Sequence, residues 1–331
     1  MRKNKIKLVA KSCIVLLLIA GTIVCGGYFL RKSQFRKEQR MLHRIEAVRK
    51  FVIAQNYQPE FIKLEKDKRL DELDQELYHQ GAIEMKKHKA VITGIARDNS
   101  YDLAITMRHI EYLGEFFKDY RVIIFENDSV DGTKQILSSW MKRNPRVSIL
   151  MKDFNNLKRP SIQFMADARN HYLDEFNDNP QYKDFDLLIA VDLDMSYGFD
   201  VRGIEHSFSL FDKWGAVCSN GIYNSKGQMY DMFAFRSEKF PYAQYNTPDY
   251  EAKVRQGMKQ IFKPGSDLVS VYSCFGGLAI YKREFMHGCK YESVQGDCEH
   301  VAFHECLLKN QARMFLNPAQ IIKYSHYQDK S

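Results

Sequence analysis

Residues 186–194, DLLIAVDLD, decide the fold class of this chain. The apolar run at residues 185–191 predicts a buried strand, and Asp192 and Asp194 follow at its carboxyl end. Strands that alternate with helices form parallel sheets, whose ligands bind beyond the carboxyl ends of the strands. The stretch therefore predicts an α/β protein with two carboxylates at the ligand-binding edge of its sheet.

Short apolar runs alternate with longer helical patterns on the N-terminal side of this stretch. We predict strands at residues 90–95, 121–125 and 146–151, and helices at residues 103–117, 133–142 and 162–176. This order predicts a Rossmann-like, mostly parallel sheet with flanking helices. Polar clusters follow three of the strands, at residues 97–100, 126–133 and 192–194, and we expect them to converge on one sheet edge.

These clusters contain candidate ligands for a nucleotide and for a metal ion. Glu126 and Asp128 can accept hydrogen bonds from a ribose or a base, whereas residues 131–133, Asp-Gly-Thr, favour a turn and a helix cap. Asp192 and Asp194 suit a hard divalent cation, which takes oxygen ligands and commonly keeps phosphate oxygens in its shell. The alternative for this acidic pair is a solvated surface loop.

Residues 12–30, SCIVLLLIAGTIVCGGYFL, contain no charge. A helix of this length, at about 1.5 Å per residue, spans the hydrocarbon core of a bilayer, so we predict a transmembrane anchor after a basic tail at residues 1–11. A cleaved signal peptide is the alternative, but the stretch has no clear cleavage site. We expect a partly helical stem at residues 31–88 and a globular domain at residues 89–331.

Basic residues flank the predicted anchor on both sides, so the positive-inside rule does not decide its orientation. We expect a single-pass membrane protein. Its globular domain would be lumenal in the manner of Golgi enzymes if the source is eukaryotic, and the protein would lie in the inner membrane if the source is bacterial.

The formal net charge of +8 arises at the N-terminus. Residues 1–44 hold 11 of the 49 Lys and Arg residues and one of the 41 acidic residues, so 38 basic and 40 acidic residues remain in the rest of the chain. A nucleic-acid-binding domain carries a clustered basic surface. The globular part is nearly neutral, so we expect no nucleic-acid partner.

The seven cysteines contain no C-x-x-C pair that would indicate a zinc or redox site. Two of them, Cys13 and Cys25, lie in the apolar N-terminal stretch. The other five leave at least one cysteine unpaired within the chain, so zero, one or two internal disulfides are possible. The cysteine pattern therefore does not identify the compartment.

Three motifs in this order, ENDSVDGT at residues 126–133, ADARN at 166–170 and VDLD at 191–194, resemble the nucleotide-binding half of GT-A glycosyltransferases. The first and last are most similar to the CAP59/cryptococcal α-1,3-mannosyltransferase family, and the resemblance covers residues 89–327. It implies a GT-A fold, a Mn²⁺ or Mg²⁺ cofactor, and transfer of a hexose to a glycan acceptor. It further implies GDP-mannose as the donor, an α-linkage and retention of configuration.

The resemblance also implies site residues. Those expected to contact the nucleotide sugar are Arg97, Glu126, Asp128, Arg169, Asp192, Gly276 and Gly277, and the expected metal ligands are Asp192, Asp194 and His326. Asp194 and Glu299 are the expected catalytic carboxylates, with Glu299 near the acceptor hydroxyl.

Several alternatives to these roles stay open. Arg169 could lie on a helix surface, and the Gly-Gly pair could be a structural bulge. His304 competes with His326 as a ligand, and the acceptor-side role could fall on Asp297 or His300 instead of Glu299.

Two other functions remain alternatives to sugar transfer. Nucleotidyl transfer also uses a Rossmann-like sheet with carboxylate-held metal, but no glycine-rich phosphate loop follows the first strand, where Gly94 is isolated. A catalytically inactive, membrane-tethered glycan-binding adaptor on the same fold would tolerate loss of the acidic clusters, all of which are present. Product analysis separates these functions, because sugar transfer releases a nucleoside diphosphate and nucleotidyl transfer releases pyrophosphate.

Overall fold

The computed structural model describes residues 62–155, 161–241 and 250–328. The predicted basic tail, the predicted membrane segment and the first half of the predicted stem lie outside these ranges. Within them, the helices are too short or too polar to cross a bilayer.

The described residues form one eight-stranded sheet. Its strands are β1 (Lys89–Ala96), β2 (Asp119–Glu126), β3 (Val147–Met151), β4 (Leu187–Val191), β5 (Ala216–Asn224), β6 (Val269–Ser270), β7 (Leu278–Lys282) and β8 (Met314–Gln328). Their order across the sheet is β3-β2-β1-β4-β7-β5-β8-β6. The first four strands of this order run parallel, which confirms the predicted parallel sheet. β7 runs antiparallel to both of its neighbours, β4 and β5.

Seven α-helices accompany the sheet in the part of the chain that the structure describes. They are α1 (Gln75–Met85), α2 (Leu103–Gly114), α3 (Thr133–Arg143), α4 (Ile162–Asp178), α5 (Val201–Phe208), α6 (Tyr250–Gly257) and α7 (Glu299–Lys309). The three helices predicted between the first four strands are confirmed as α2, α3 and α4.

Both faces of the central strands are buried. Val91 of β1 packs in one core cluster with Leu173 and Phe176 of α4. Ile92, the next residue, points to the opposite face and is also fully buried. All five residues of β4 are buried, which explains their continuous apolar sequence.

The last part of the predicted stem packs onto this domain. Leu70 and Tyr78 form an apolar cluster with Ile222 of β5 and Ile321 of β8. α1 also packs closely against α5, because the glycine at position 81 lets the two helix backbones approach. The packed domain therefore extends N-terminal of β1 into the predicted stem.

Four of the five cysteines in the described part of the chain are paired. The two disulfides join Cys218 to Cys274 and Cys289 to Cys306, and Cys298 is a buried free thiol. Of the three possibilities that the sequence allows, the structure thus has two internal bridges. Both bridges lie in the C-terminal half, where they hold β5 and α7 to neighbouring loops.

Candidate active site

The loops that follow β1 and β2 are joined by hydrogen bonds. The backbone N–H of Asp98 donates to Ser129 Oγ at 2.9 Å, and the Asp98 carboxylate accepts from the Val130 N–H at 2.8 Å. The Asn99 N–H donates to Thr133 Oγ1 at 2.8 Å. These bonds fix the two loops as one wall at the carboxyl edge of the sheet.

Asp131 has the turn role that its sequence context predicts, but the N-cap residue of α3 is Gly132, which makes no side-chain cap hydrogen bond. Its carboxylate accepts hydrogen bonds from the N–H of Thr133 at 2.9 Å and of Ser100 at 3.0 Å. Burial alone would raise the pKa of Asp131, but these bonds to the ionised form lower it below its usual value. α3 begins at Thr133, directly after this turn.

Glu126 and Asp128 turn their carboxylates into the loop. Glu126 is fully buried and accepts from the Ser129 N–H at 3.0 Å, and burial raises its pKa. Asp128 accepts from Asn127 Nδ2 at 3.0 Å and from the Phe154 N–H at 2.8 Å. Neither carboxylate lines the cleft described next, contrary to the expectation that both face a nucleotide. Asn127, which lies between them, lines it instead.

A cleft of about 250 Å³ opens where β1, β2 and β4 end. Its polar lining residues are Arg97, Asn99, Asn127, Arg169, Asp192 and Asp194, and Phe164 and Met165 of α4 add an apolar wall. The cleft thus brings two cationic and two anionic side chains together at the edge where open α/β sheets bind their ligands. The convergence of the strand-end clusters at residues 97–100 and 192–194 is confirmed, and the middle cluster contributes Asn127.

Asp192 and Asp194 form an acidic pair at the end of β4. Burial, and then the charge of Asp194, raise the pKa of Asp192 well above its usual value, and Arg169 opposes this rise. The repulsion between the two carboxylates is the kind that a divalent cation relieves. Their oxygen atoms are also the donors that Mg²⁺ and Mn²⁺ prefer, so the pair fits such an ion.

A cation at this pair would need further ligands. No group of three or more acidic, histidine or cysteine side chains surrounds one point in the described ranges. Because Mg²⁺ usually keeps several waters and binds through one or two carboxylates plus substrate phosphates, two protein ligands are sufficient for it. The other predicted ligand, His326, belongs to β8, but its side chain lies outside the described part, so its role stays a prediction.

His304, the competing metal ligand, is a core residue. Its Nδ1 lies 2.8 Å from Ser273 Oγ and its Nε2 lies 2.9 Å from the Tyr281 hydroxyl. Burial, and then the charge of Arg169, lower its pKa to about 3, so the ring is neutral. Because both ring nitrogens have partners inside the core, His304 has none left for a metal ion.

Arg169 of α4 is buried, which excludes the alternative of a helix-surface arginine. Its Nε donates to Glu299 Oε1 at 2.9 Å, and its Nη2 lies 3.7 Å from Asp192 Oδ1. The guanidinium also lies over the ring of Phe275, at 5.1 Å from the centroid. Only 5% of Arg169 and 2% of Glu299 are exposed, so the pair is shielded from water. A phosphate in the cleft would share this cation with two protein carboxylates.

Glu299 is the residue of its motif that pairs with Arg169, one of the two cationic side chains of the cleft. It is the first residue of α7, where the helix dipole favours a negative charge. Asp297 instead pairs with Arg236, at 2.5 Å. His300 stacks on Phe275 with ring centroids 4.1 Å apart, and burial, followed by nearby Arg169, lowers its pKa well below the usual value. Of the three alternatives, Glu299 is thus the one that pairs with Arg169, but none of the three lines the cleft, so the acceptor-side role of Glu299 stays a prediction.

The Gly-Gly pair lies beside the acidic pair because of the strand register. β7 begins opposite the last residue of β4, so Gly277 lies next to Asp192 and accepts its N–H at 2.9 Å. Gly276 and Gly277 have φ values of +64° and +91°. A Cβ at Gly276 would lie 2.2 Å from the carbonyl oxygen of Ser219. The pair thus forms a buried turn directly before β7 and not a bulge, and glycine permits its positive φ values and the close approach of Ser219.

Sequence reasoning missed two residues of this region, Tyr230 and Asp231. The Asp231 carboxylate accepts the Gly276 N–H at 2.8 Å, and Tyr230 stacks on Tyr324 with ring centroids 4.5 Å apart. Both residues lie in an aromatic and polar loop that follows β5, and no motif in that loop marks them. Only their contacts with the Gly-Gly pair place them at the site.

No protein-family model matches this sequence, and no curated protein matches it. The solved structures that resemble it include S. aureus TarS residues 1–349, at 12% identity and a TM-score of 0.42, with 71% of this chain and 59% of that chain covered. They also include the mannosyltransferase PcManGT from Pyrobaculum calidifontis in complex with GDP-Man and Mn²⁺, at 13% identity and a TM-score of 0.44, with 85% and 68% covered. The chain thus spans about three fifths of the TarS fragment. Similarity at this level assigns no role to any residue of this chain.

Proposed function

We propose that this chain is a metal-dependent glycosyltransferase that moves a hexose from a nucleotide sugar to a glycan acceptor. One observation carries the proposal: the cleft beyond β1, β2 and β4 joins Arg97 and Arg169 to the acidic pair Asp192 and Asp194. A nucleoside diphosphate with its cation has the complementary charges. The sequence resemblance supports the finer proposal of GDP-mannose, an α-linkage and retention of configuration.

We assign binding of the nucleotide-sugar donor to the residues that line the cleft. Arg97 carries a guanidinium, which suits phosphate oxygens, and the Asn127 amide can both donate to and accept from a base or a ribose. Phe164 and Met165 supply an apolar wall against which a base can pack. These contacts would hold the nucleotide across the ends of β1 and β2.

Asp192 and Asp194 would hold Mn²⁺ or Mg²⁺, and the bound ion would supply Lewis-acid stabilisation of the charge on the leaving diphosphate. Arg169 contributes a second positive charge. Its guanidinium donates a hydrogen bond to Glu299 at 2.9 Å and lies 3.7 Å from Asp192. The site thus has its charges in place before a donor binds, which is the condition for electrostatic stabilisation of a transition state.

In the proposed reaction, the bond from the sugar C1 to the diphosphate oxygen breaks and a bond from C1 to the acceptor oxygen forms. If configuration is retained, the leaving phosphate can take the acceptor proton, and Glu299 then orients the acceptor and stabilises positive charge on the sugar. Because Arg169 donates to Glu299 at 2.9 Å, the carboxylate is held in one orientation.

The test is incubation of the full-length chain with Mn²⁺, a panel of nucleotide sugars and glycan acceptors, with the released nucleotide identified. Release of a nucleoside diphosphate together with a glycosylated acceptor is the expected result. Release of pyrophosphate would mean nucleotidyl transfer. Nucleotide binding without turnover across the whole panel would mean a glycan-binding adaptor.

The proposal places the catalytic domain in an oxidising compartment, on a single-pass anchor at residues 12–30. The disulfides Cys218–Cys274 and Cys289–Cys306 support an oxidising compartment for the domain, because such bonds persist where the environment is oxidising. In a eukaryote the domain would then be lumenal. In a bacterium it would lie on the outer face of the inner membrane.

A further inference from the structure

Asp231 is a carboxylate of the site that has no role in the chemistry above. We propose that Asp231 accepts a hydrogen bond from a hydroxyl group of the transferred hexose and so selects which hexose is transferred. This inference rests on the proposed function and names the residue that gives it sugar specificity. Four observations support it: the anchoring of the carboxylate, its backbone connection to Asp192, the aromatic ring beside it, and its exclusion from a metal-binding group.

Two backbone groups anchor the carboxylate. Oδ2 of Asp231 accepts the Gly276 N–H at 2.8 Å, and Oδ1 accepts the Ala234 N–H at 3.3 Å. A carboxylate oxygen can accept two hydrogen bonds, so each oxygen of Asp231 keeps capacity for a ligand hydroxyl. The residue is also only partly buried. The Asp231 carboxylate is therefore held in one orientation and can still accept further hydrogen bonds.

Backbone hydrogen bonds place Asp231 close to the acidic pair, because Asp231 accepts the Gly276 N–H and the next residue, Gly277, accepts the Asp192 N–H at 2.9 Å. Burial and Asp194 raise the pKa of Asp192, and the charge of Asp231 adds to this rise. Burial likewise raises the pKa of Asp231, hydrogen bonds from Gly276 and Ala234 oppose the rise, and Glu299 adds to it. A sugar attached to a diphosphate at Asp192 would therefore lie close to Asp231.

An aromatic ring lies close to Asp231. Gly276 and Gly277 are buried, and the Tyr230 hydroxyl lies 3.2 Å from the position that a Cβ of Gly277 would take. Tyr230 is held in place by its stack on Tyr324. A partly exposed carboxylate next to a partly exposed aromatic ring suits a hexose, which presents both hydroxyl groups and an apolar face.

Asp231 is not placed as a third metal ligand. Within the described ranges, no group of three acidic, histidine or cysteine side chains could hold one ion, so Asp231 does not join Asp192 and Asp194 around a common point. Its ligand is therefore a neutral donor. A sugar hydroxyl is the neutral donor that a nucleotide sugar brings to this position.

The test compares the wild type with Asp231→Asn on the preferred donor and on donors that lack one hydroxyl of the hexose. A hydrogen bond to a charged group contributes about 1.5–3 kcal/mol, which is about a 10- to 100-fold change in kcat/KM. We expect Asp231→Asn to lose this factor with the full donor. We expect one deoxy donor to lose a similar factor with the wild type but almost none with the variant.

Two controls separate sugar recognition from damage to the fold. Glu238→Gln changes an exposed carboxylate in the same loop and should leave kcat/KM and donor preference unchanged. The dissociation constant of the free nucleoside diphosphate should be the same for the wild type and for Asp231→Asn within about twofold, because that ligand carries no hexose. The melting temperature of each variant reports whether the fold is intact.

Two outcomes would overturn the role of Asp231. One is an equal loss for the full donor and every deoxy donor, and the other is a parallel loss of nucleoside diphosphate affinity, because either would show that Asp231 acts on the site as a whole. A wild type that releases no nucleoside diphosphate from any donor would refute the proposed function itself. That result would appear before a variant is made, so the two failures are distinguishable.

Discussion

At the scale of single residues, the charges of the site converge on Arg169. Its guanidinium lies 2.9 Å from Glu299 and 3.7 Å from Asp192, and it is shielded from water. A buried ion pair contributes little net stability against an apolar pair of the same size, but removing one partner leaves an uncompensated buried charge. Arg169 is therefore a residue of both stability and function.

We expect Arg169→Ala to lower the free energy of unfolding by about 3–5 kcal/mol, because the Glu299 carboxylate would be left buried without its cation. Sugar transfer should be lost as well. Arg169→Lys keeps the charge but cannot reach two carboxylates with a planar fork, so it should recover part of the stability and little activity. Guanidinium chloride unfolding and nucleoside diphosphate release measure the two effects. An Arg169→Ala variant that unfolds at the wild-type denaturant concentration would contradict the inferred pairing.

Asp192→Asn should separate activity from stability. The substitution removes a carboxylate that Asp194 repels, so the metal-free protein should melt at or above the wild-type temperature. Loss of a metal ligand removes several kcal/mol of transition-state stabilisation, so transfer should fall by at least about 100-fold. Mn²⁺ should also raise the melting temperature of the wild type but not that of the variant. A variant with more than about a tenth of wild-type turnover would exclude the metal role.

At the scale of secondary-structure elements, α1 and the segment before it dock onto α5 through charged groups as well as apolar ones. The Asp67 N–H donates to Asp200 Oδ2 at 2.8 Å, and Arg202 bonds to Asp71 at 2.7 Å. Glu205 lies in the same contact and is 8% exposed. Burial, and then the charge of Asp200, raise the pKa of Glu205 to about 7, against the opposing effect of Arg202.

Glu205 should make stability depend on pH. Because its folded-state pKa of about 7 lies above the usual value of 4.5, the stabilising protonated form is present at low pH and is lost as the pH rises through 7. We expect Glu205→Gln to melt a few degrees above the wild type at about pH 8 and close to it at about pH 5, since about 1 kcal/mol shifts the midpoint by about 2–4 °C. Thermal melts across this range measure the difference. A difference that is independent of pH would contradict the role of Glu205.

At the scale of the whole molecule, two disulfides join distant parts of the C-terminal half. Cys218–Cys274 closes a sequence separation of 56 residues, next to the Gly-Gly pair, and Cys289–Cys306 closes a separation of 17 residues at α7. Cross-links of this kind restrict the unfolded chain. The bridges therefore stabilise the half of the domain that carries Glu299 and Asp231.

The double variant Cys289→Ser, Cys306→Ser should lose about 3 kcal/mol of unfolding free energy, because it reopens a short loop in the unfolded chain. The wild type treated with a thiol reductant should lose at least as much, because both of its bridges then open. Denaturant unfolding measures both losses. Peptide mapping of protein isolated from its native source supplies the deciding result: free thiols at Cys289 and Cys306 would contradict the proposed oxidising compartment.

The sequence by itself determined the order of strands and helices from β1 to β4 and the position of the acidic pair at the end of β4. Hydrophobic periodicity and turn residues are local signals, and these elements follow from them. The sequence also predicted that Arg97 lies at the ligand-binding edge, because a residue directly after a parallel strand lies there, and Arg97 lines the cleft.

Only the tertiary structure decided how distant residues meet. Arg169 and Glu299 are 130 positions apart, and Asp231 and Gly276 are 45 positions apart, so no local pattern links either pair. Tertiary contacts also turned the Glu126 carboxylate into the loop, where it binds the Ser129 N–H. Side-chain direction and partner choice depend on packing between elements, whereas the elements themselves depend on neighbours in the chain. That is why the sequence predicted the edge that forms the site but not the contacts within it.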